Sequence, residues 1–215
     1  MALSKLAANS FDLTDNYALT GTVTGVTSTQ KIFLIKNIDA SSSSTVSFVN
    51  GSSDVVLDNT YKTYYFKFIN LHPSASNQME FQGSTNSGSS YGVTITTTGF
   101  KAHHTEDDST TTLAYTPNQD VQQGTGYQEI FQNVGSDDAE NSGSGELWLF
   151  NPSSTTFVKS FFSRSSERSV DSPAHYAISQ FGAGYFNTTS AINAIQFRFG
   201  SGNIDSGRIA LYGIK

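Results

Sequence analysis

Cysteine is missing from all 215 residues, and with it go disulfides, thiolate metal sites and a thiol nucleophile. Charge is scarce as well. Asp, Glu, Lys and Arg make up only 14% of the chain, no run of Lys or Arg occurs, and the formal net charge is −6. A nucleic-acid backbone is held by a basic patch that displaces counterions, so no nucleic-acid partner is expected. No apolar run reaches the roughly 20 residues that span a bilayer, and residues 1–19 lack the continuous apolar core of a secretory leader. The expectation is a chain made in the cytoplasm of its producing cell and kept soluble, without membrane insertion. No window holds a sustained 3.6-residue apolar period, so no helix longer than about three turns is expected. No repeat is present to suggest a solenoid.

What fills the chain is Ser, Thr, Asn, Gln and Gly, interrupted at intervals by aromatics. That mixture suits either a disordered linker or a pleated sheet. The 16 Phe and 10 Tyr are spread along the length, which supplies apolar area for one packed core, and a single β-domain of this length is ordinary. From Lys31 the pattern takes a period of two, with Ile32, Leu34 and Lys36 on one side and Phe33, Ile35 and Asn37 on the other. Further runs of strand character are Thr45–Val49, Tyr61–Ile69, Gln78–Gln82, Gly92–Thr98, Thr111–Tyr115, Tyr127–Val134, Glu146–Phe150, Phe157–Phe162, Ala183–Phe186, Ile195–Phe199 and Ile209–Ile214.

Turn chemistry separates these runs. Asn50-Gly51 tolerates positive φ and predicts a tight hairpin. Gly83–Ser90, Asn141–Gly145 and Gly200–Gly207 read as loops, Gly182-Ala-Gly184 as a turn, and Asn151-Pro152 as a strand end. Short strands without crossover helices favour an all-β, antiparallel β-sandwich, jelly-roll-like, with an extended N-terminal arm. Residues 1–26 form the arm in this reading and 27–215 the sandwich. Phe33, Ile35, Phe66, Phe68, Trp148, Phe197 and Leu211 are expected to be mostly buried, with Trp148 in core or interface because both faces of Glu146–Phe150 are apolar.

Chemistry-bearing residues are few. His103, His104, Glu106, Asp107 and Asp108 could hold a metal or move protons, but adjacent histidines on a strand point to opposite faces, so solvated surface is the expectation. Asp137, Asp138 and Glu140 lack the alternating oxygen ligands of a calcium loop. Neither Gly182-Ala-Gly184 nor Gly200-Ser-Gly202 has phosphate-loop spacing, and no serine sits in a Gly-x-Ser-x-Gly elbow. Arg164, Glu167 and Arg168 lie in Ser163–Ser172, read as a polar loop with solvated charges. No catalytic residue, cofactor or resident metal is expected.

The arm is too polar to build its own core. Ordering about 26 residues costs on the order of 1–2 kcal/mol each in backbone entropy, so a partner surface is expected to hold it. Phe11, Leu13 and Tyr17 are the candidate anchors.

Three stretches carry a resemblance: MALSKLAANSFDLTDNYALTGTVTG at the start, GELWLFNPSSTT in the middle and FNTTSAINAIQFRFGSGNIDSGRIALYGIK at the end. Together they resemble small virion structural proteins of tailed bacteriophages, marine and cyanobacterial phages above all. The opening Phe11-Asp-Leu-Thr-Asp-Asn-Tyr17 with Thr20–Gly25 is similar to tail-fibre and other virion surface proteins, and so is the terminal Ile204–Gly213. The resemblance implies a role and no site residues: a tail appendage, fibre or adaptor displayed on the virion surface, or a capsid decoration (cement) protein. It implies other virion proteins as partners, copies of the chain itself as a trimer or ring, and a host surface glycan as a further candidate. From another class come a carbohydrate-binding module and a glycan depolymerase. The depolymerase needs paired carboxylates roughly 5–10 Å apart, for which Asp107, Asp137 and Asp205 are the candidates.

Overall fold

Twelve antiparallel strands account for most of the described residues: β1 (Ile32–Asp39), β2 (Val46–Val49), β3 (Thr63–Pro73), β4 (Asn77–Ser84), β5 (Ile95–Thr105), β6 (Thr111–Tyr115), β7 (Gln128–Val134), β8 (Gly143–Phe150), β9 (Lys159–Asp171), β10 (Ala174–Phe186), β11 (Ala194–Phe199) and β12 (Ile204–Ile214). They come from a computed structural model that describes residues 31–171 and 174–215. Among the described residues the only helix is one 3₁₀ turn, Pro117–Gln119. Phe11, Leu13 and Tyr17 lie outside the described residues.

The strands form two sheets packed as a sandwich. The larger has eight strands in the order β1-β12-β3-β8-β9-β10-β5-β6, and the smaller four in the order β2-β11-β4-β7. Strand alternation sends Tyr64, Phe66, Phe68, Leu147, Leu149 and Phe161 inward, where they meet Phe48, Phe81, Phe131 and Phe197 of the small sheet. Phe197 sits at the middle, its ring 5.1 Å from Phe66, 5.2 Å from Phe68 and 6.2 Å from Phe48 in edge-on contacts. Edge-to-face geometry lets the positive edge of one ring meet the negative face of the next. As expected, Phe66, Phe68, Phe197 and Leu211 are buried. Phe33 and Ile35 are only half-buried, because β1 is an edge strand with no neighbour on one side.

Four local expectations are corrected. The Asn50-Gly51 turn forms, with Gly51 at φ +78° and its N–H donating to Val55 O at 2.9 Å, but it joins no hairpin. The strand before it, β2, pairs with β11, while Val55 and Leu57 dive into the core as the chain crosses to the other sheet. Gly182-Ala-Gly184 is no turn either; it lies inside β10, and a Cβ on Gly184 would stand 2.4 Å from Thr96 O. The stretch Ser163–Ser172 is strand as far as Asp171. Within it Ser163, Ser165, Glu167 and Ser169 point inward and are buried, so hydrophobic alternation could not reveal it. Asn141–Gly145 is loop only at its start, since Gly143 already pairs with Leu71 and Glu167.

The first and last strands lie side by side. Ile32 is opposite Ile214, and Lys215 N–H donates to Lys31 O at 3.1 Å.

Candidate functional site: the outer face of the large sheet

The small sheet covers the inner face of the large one; the large sheet's other face is the unusual part. Its residues fall into rungs set by strand register. One rung runs Leu34, Tyr212, Tyr65, Trp148, Phe162, Ala183, Thr98, and the next runs Lys67, Glu146, Arg164, Phe181, Phe100, Tyr115. Cross-strand neighbours on one face stand about 4.5–5.5 Å apart, so the rings touch. Tyr65 lies 5.7 Å from Tyr212 and 4.7 Å from Trp148, Trp148 stacks on Phe162 at 5.8 Å, and Phe100 stacks on Phe181 at 5.0 Å with planes 10° apart. The result is an aromatic belt across the sheet, bordered by a row of alternating charge.

This belt is open to solvent. Leu113 is 77% exposed, Tyr115 59%, Leu34 52%, Ile32 and Phe100 48% each, and Phe162 40%. All six project from this face, and the other exposed large hydrophobics among the described residues, Phe157 and Val158, lie in the loop before β9. A groove of about 300 Å³ opens between Phe100, Tyr115, Phe162 and Phe181, floored by Thr98, Gly182 and Ala183. The small floor residues create it, since Ala183 and Thr98 continue the rung past Phe162 without a ring. A second depression of about 430 Å³ is lined by Tyr65, Lys67, Glu146, Arg164 and Ser144, Ser166 and Ser179. Burial and the Glu146 carboxylate together push the Tyr65 hydroxyl up to about 12, so it stays protonated.

The expectation for Trp148 is burial in core or interface, and the core is not where it lies. It belongs to the outer face and is half-buried among its ring neighbours, its indole N–H without a partner among the described residues. The clue was present: β3 and β8 are apolar on both faces, as in Tyr64-Tyr65 and Leu147-Trp148, yet a two-layer sandwich buries only one face of each sheet. Doubly apolar strands in such a fold mark an exposed apolar surface.

The interior holds a contrasting cluster at the β7, β9 and β10 end. Glu167 Oε1 accepts from the N–H groups of Gln132 at 2.7 Å and Asn133 at 3.1 Å, and Gln180 Nε2 donates to Glu129 Oε1 at 2.9 Å. Burial pushes Glu167 up to about 8 and Glu129 up to about 7, against the pull of those hydrogen bonds and of Lys101. Glu167 Oε2, Ser165 Oγ, Ser169 Oγ and Gln180 Oε1 find no partner among the described residues. Glu167, expected as solvated surface, is therefore a buried acid.

The other candidate groups are dispersed. His103 and His104 point to opposite faces: His103 packs 5.5 Å from the Tyr176 ring, while His104 Nε2 meets Asp108 Oδ1 at 3.0 Å. Glu106 pairs with Arg168 at 3.2 Å, and no group of three or more metal-ligating side chains forms among the described residues. Asp107 accepts from Ser109, Asp137 from Asn141 and Asp205 from Ser42, each engaged by its own local partner. Arg164 extends over the Phe181 ring at 5.4 Å as part of the belt. Comparison with protein-family models, curated proteins and solved structures finds no match.

Proposed function

We propose that the chain is a structural protein of a tailed-phage virion, a tail-appendage subunit displayed on the particle surface, that works through protein contacts. The aromatic outer face of the eight-stranded sheet carries this reading. A contiguous apolar surface on a sheet that is already paired and backed is a contact surface, and the sequence resemblance supplies the setting. The depolymerase alternative draws less support, since Asp107, Asp137 and Asp205 are each held in separate loop or strand-end interactions. The N-terminal segment with Phe11, Leu13 and Tyr17 is the proposed attachment to the rest of the particle.

The test is labelling of purified particles with antibodies to residues 31–215, read by electron microscopy. Label on the tail is the expected result. Label over the shell would favour the decoration alternative, and a chain absent from particles would end the virion reading. Deleting residues 2–26 should leave the β-domain folded and remove it from particles.

A further inference from the structure

We propose that the aromatic face of the large sheet is the contact surface for a second copy of this chain, packed face to face about a two-fold axis. The proposal deepens the assembly reading of this same face by naming what covers it. Size is the first argument. Seven strand spacings of about 4.8 Å and the three rung spacings of about 7 Å between the rung of Ile32 and that of Leu113 give roughly 700 Å² per copy, close to the roughly 800 Å² each partner gives to a standard stable interface. The exposed apolar residues reach from edge strand β1, with Ile32 and Leu34, to edge strand β6, with Leu113 and Tyr115. No smaller ligand would cover that width.

Chemistry is the second argument. The groove itself is walled by Phe100, Phe162 and Phe181, and the polar side chains of this face gather in the separate depression around Lys67, Glu146 and Arg164. The Tyr115 hydroxyl beside the groove already donates to Asp120. Such a dry groove suits an apolar side chain, and Leu113, the most exposed large hydrophobic of this face, stands two positions from Tyr115 on the same strand. In a two-fold contact each copy offers the same residues to the other, so a groove and a protruding leucine on one face are reciprocally satisfied. The third argument is charge. Despite a net charge of −6 for the chain, the bordering row Lys67, Glu146, Arg164 alternates in sign. A uniformly acidic face would repel its own image; an alternating row sets opposite charges face to face when the two-fold axis passes between Glu146 and either Lys67 or Arg164.

The experiment is sedimentation velocity on the full-length chain over a concentration series at physiological salt, for the wild type, Phe100→Ser with Leu113→Ser, and Phe157→Ser. Phe157 is 68% exposed and lies in the loop before β9, outside the strands that build this face. The wild type and Phe157→Ser should sediment as dimers. The double variant should dissociate with its Kd raised about 100-fold or more, since two anchor residues at roughly tenfold each multiply, while its far-ultraviolet circular dichroism stays that of the wild type. A monomeric wild type, or a double variant that keeps the wild-type size, overturns the proposal. The particle labelling above is read separately: a monomer found in particles sinks this interface alone, and a dimer absent from particles sinks the virion reading alone.

Discussion

The interior of the sandwich has two characters. Around Phe197 it is a nest of edge-on rings drawn from both sheets, while under β7, β9 and β10 it is lined by Gln128, Glu129, Ser163, Ser165, Glu167, Ser169 and Gln180. The first region is held by area removed from water and by shape. The second must satisfy each polar atom or lose stability for it. Strand register is the same in both, so side-chain chemistry decides which region tolerates change.

The largest effect should come from the apolar region. Phe197→Ala removes the ring shared by Phe48, Phe66 and Phe68 and is expected to cost about 3–5 kcal/mol, read as a drop in denaturant midpoint. A cost below about 1 kcal/mol would mean that the rings are not a cooperative core.

The polar region is expected to answer to pH instead. Glu167 and Glu129 have folded pKa values of about 8 and about 7, above their ordinary value of 4.5. The native state therefore binds more protons than the unfolded one between these limits. Stability is full below about pH 4.5 and falls as pH rises towards 8, by an amount on the order of a few kcal/mol. Melting temperature should be higher at pH 5 than at pH 8.5. Glu167→Gln should flatten that slope and raise the melting temperature at pH 8.5, because a neutral amide keeps the shape without the buried charge. A pH-independent wild type, or a variant with an unchanged slope, would erase the distinction between the two regions.

Smaller effects belong to the surface. Phe162→Ser, on the half-open belt, should change monomer stability by no more than about 1 kcal/mol in denaturant unfolding. Smallest of all, Arg208→Ala should leave the melting temperature where it was, although Arg208 pairs with Asp39 at 2.5 Å, because that pair is solvent-exposed and screened.

Which strands were legible follows from the same contrast. Strands with apolar residues on at least one face, such as β3, β4, β8, β11 and β12, announce themselves through alternation. The greater part of β9 does not: Ser163, Ser165 and Glu167 face inward while Arg164, Ser166 and Arg168 face out, so both faces read polar and the run resembles a loop. The Asn50-Gly51 signal was correct for the turn and misleading for the pairing, since turn residues set local backbone conformation but not which sheet receives the next strand. The belt was half legible. Tyr65, Tyr115, Trp148, Phe162 and Tyr212 fall in runs that read as strand, whereas Phe100 and Phe181 lie just outside the runs Gly92–Thr98 and Ala183–Phe186, and that the rings align on one open face depends on the strand order Tyr212, Tyr65, Trp148, Phe162, which joins positions far apart in the chain.

The meeting of β1 and β12 also sets how the domain bears force. Because Lys31 and Lys215 lie at the same end of an antiparallel pair, tension applied between them opens the ladder one residue pair at a time, starting from Ile32 and Ile214. That is a peeling load, which each rung resists alone. A domain tethered through both of these residues would yield gradually at this corner. Held through residue 31 and loaded on its far edge at β6, it would instead transmit tension across the sheet through ladders pulled together.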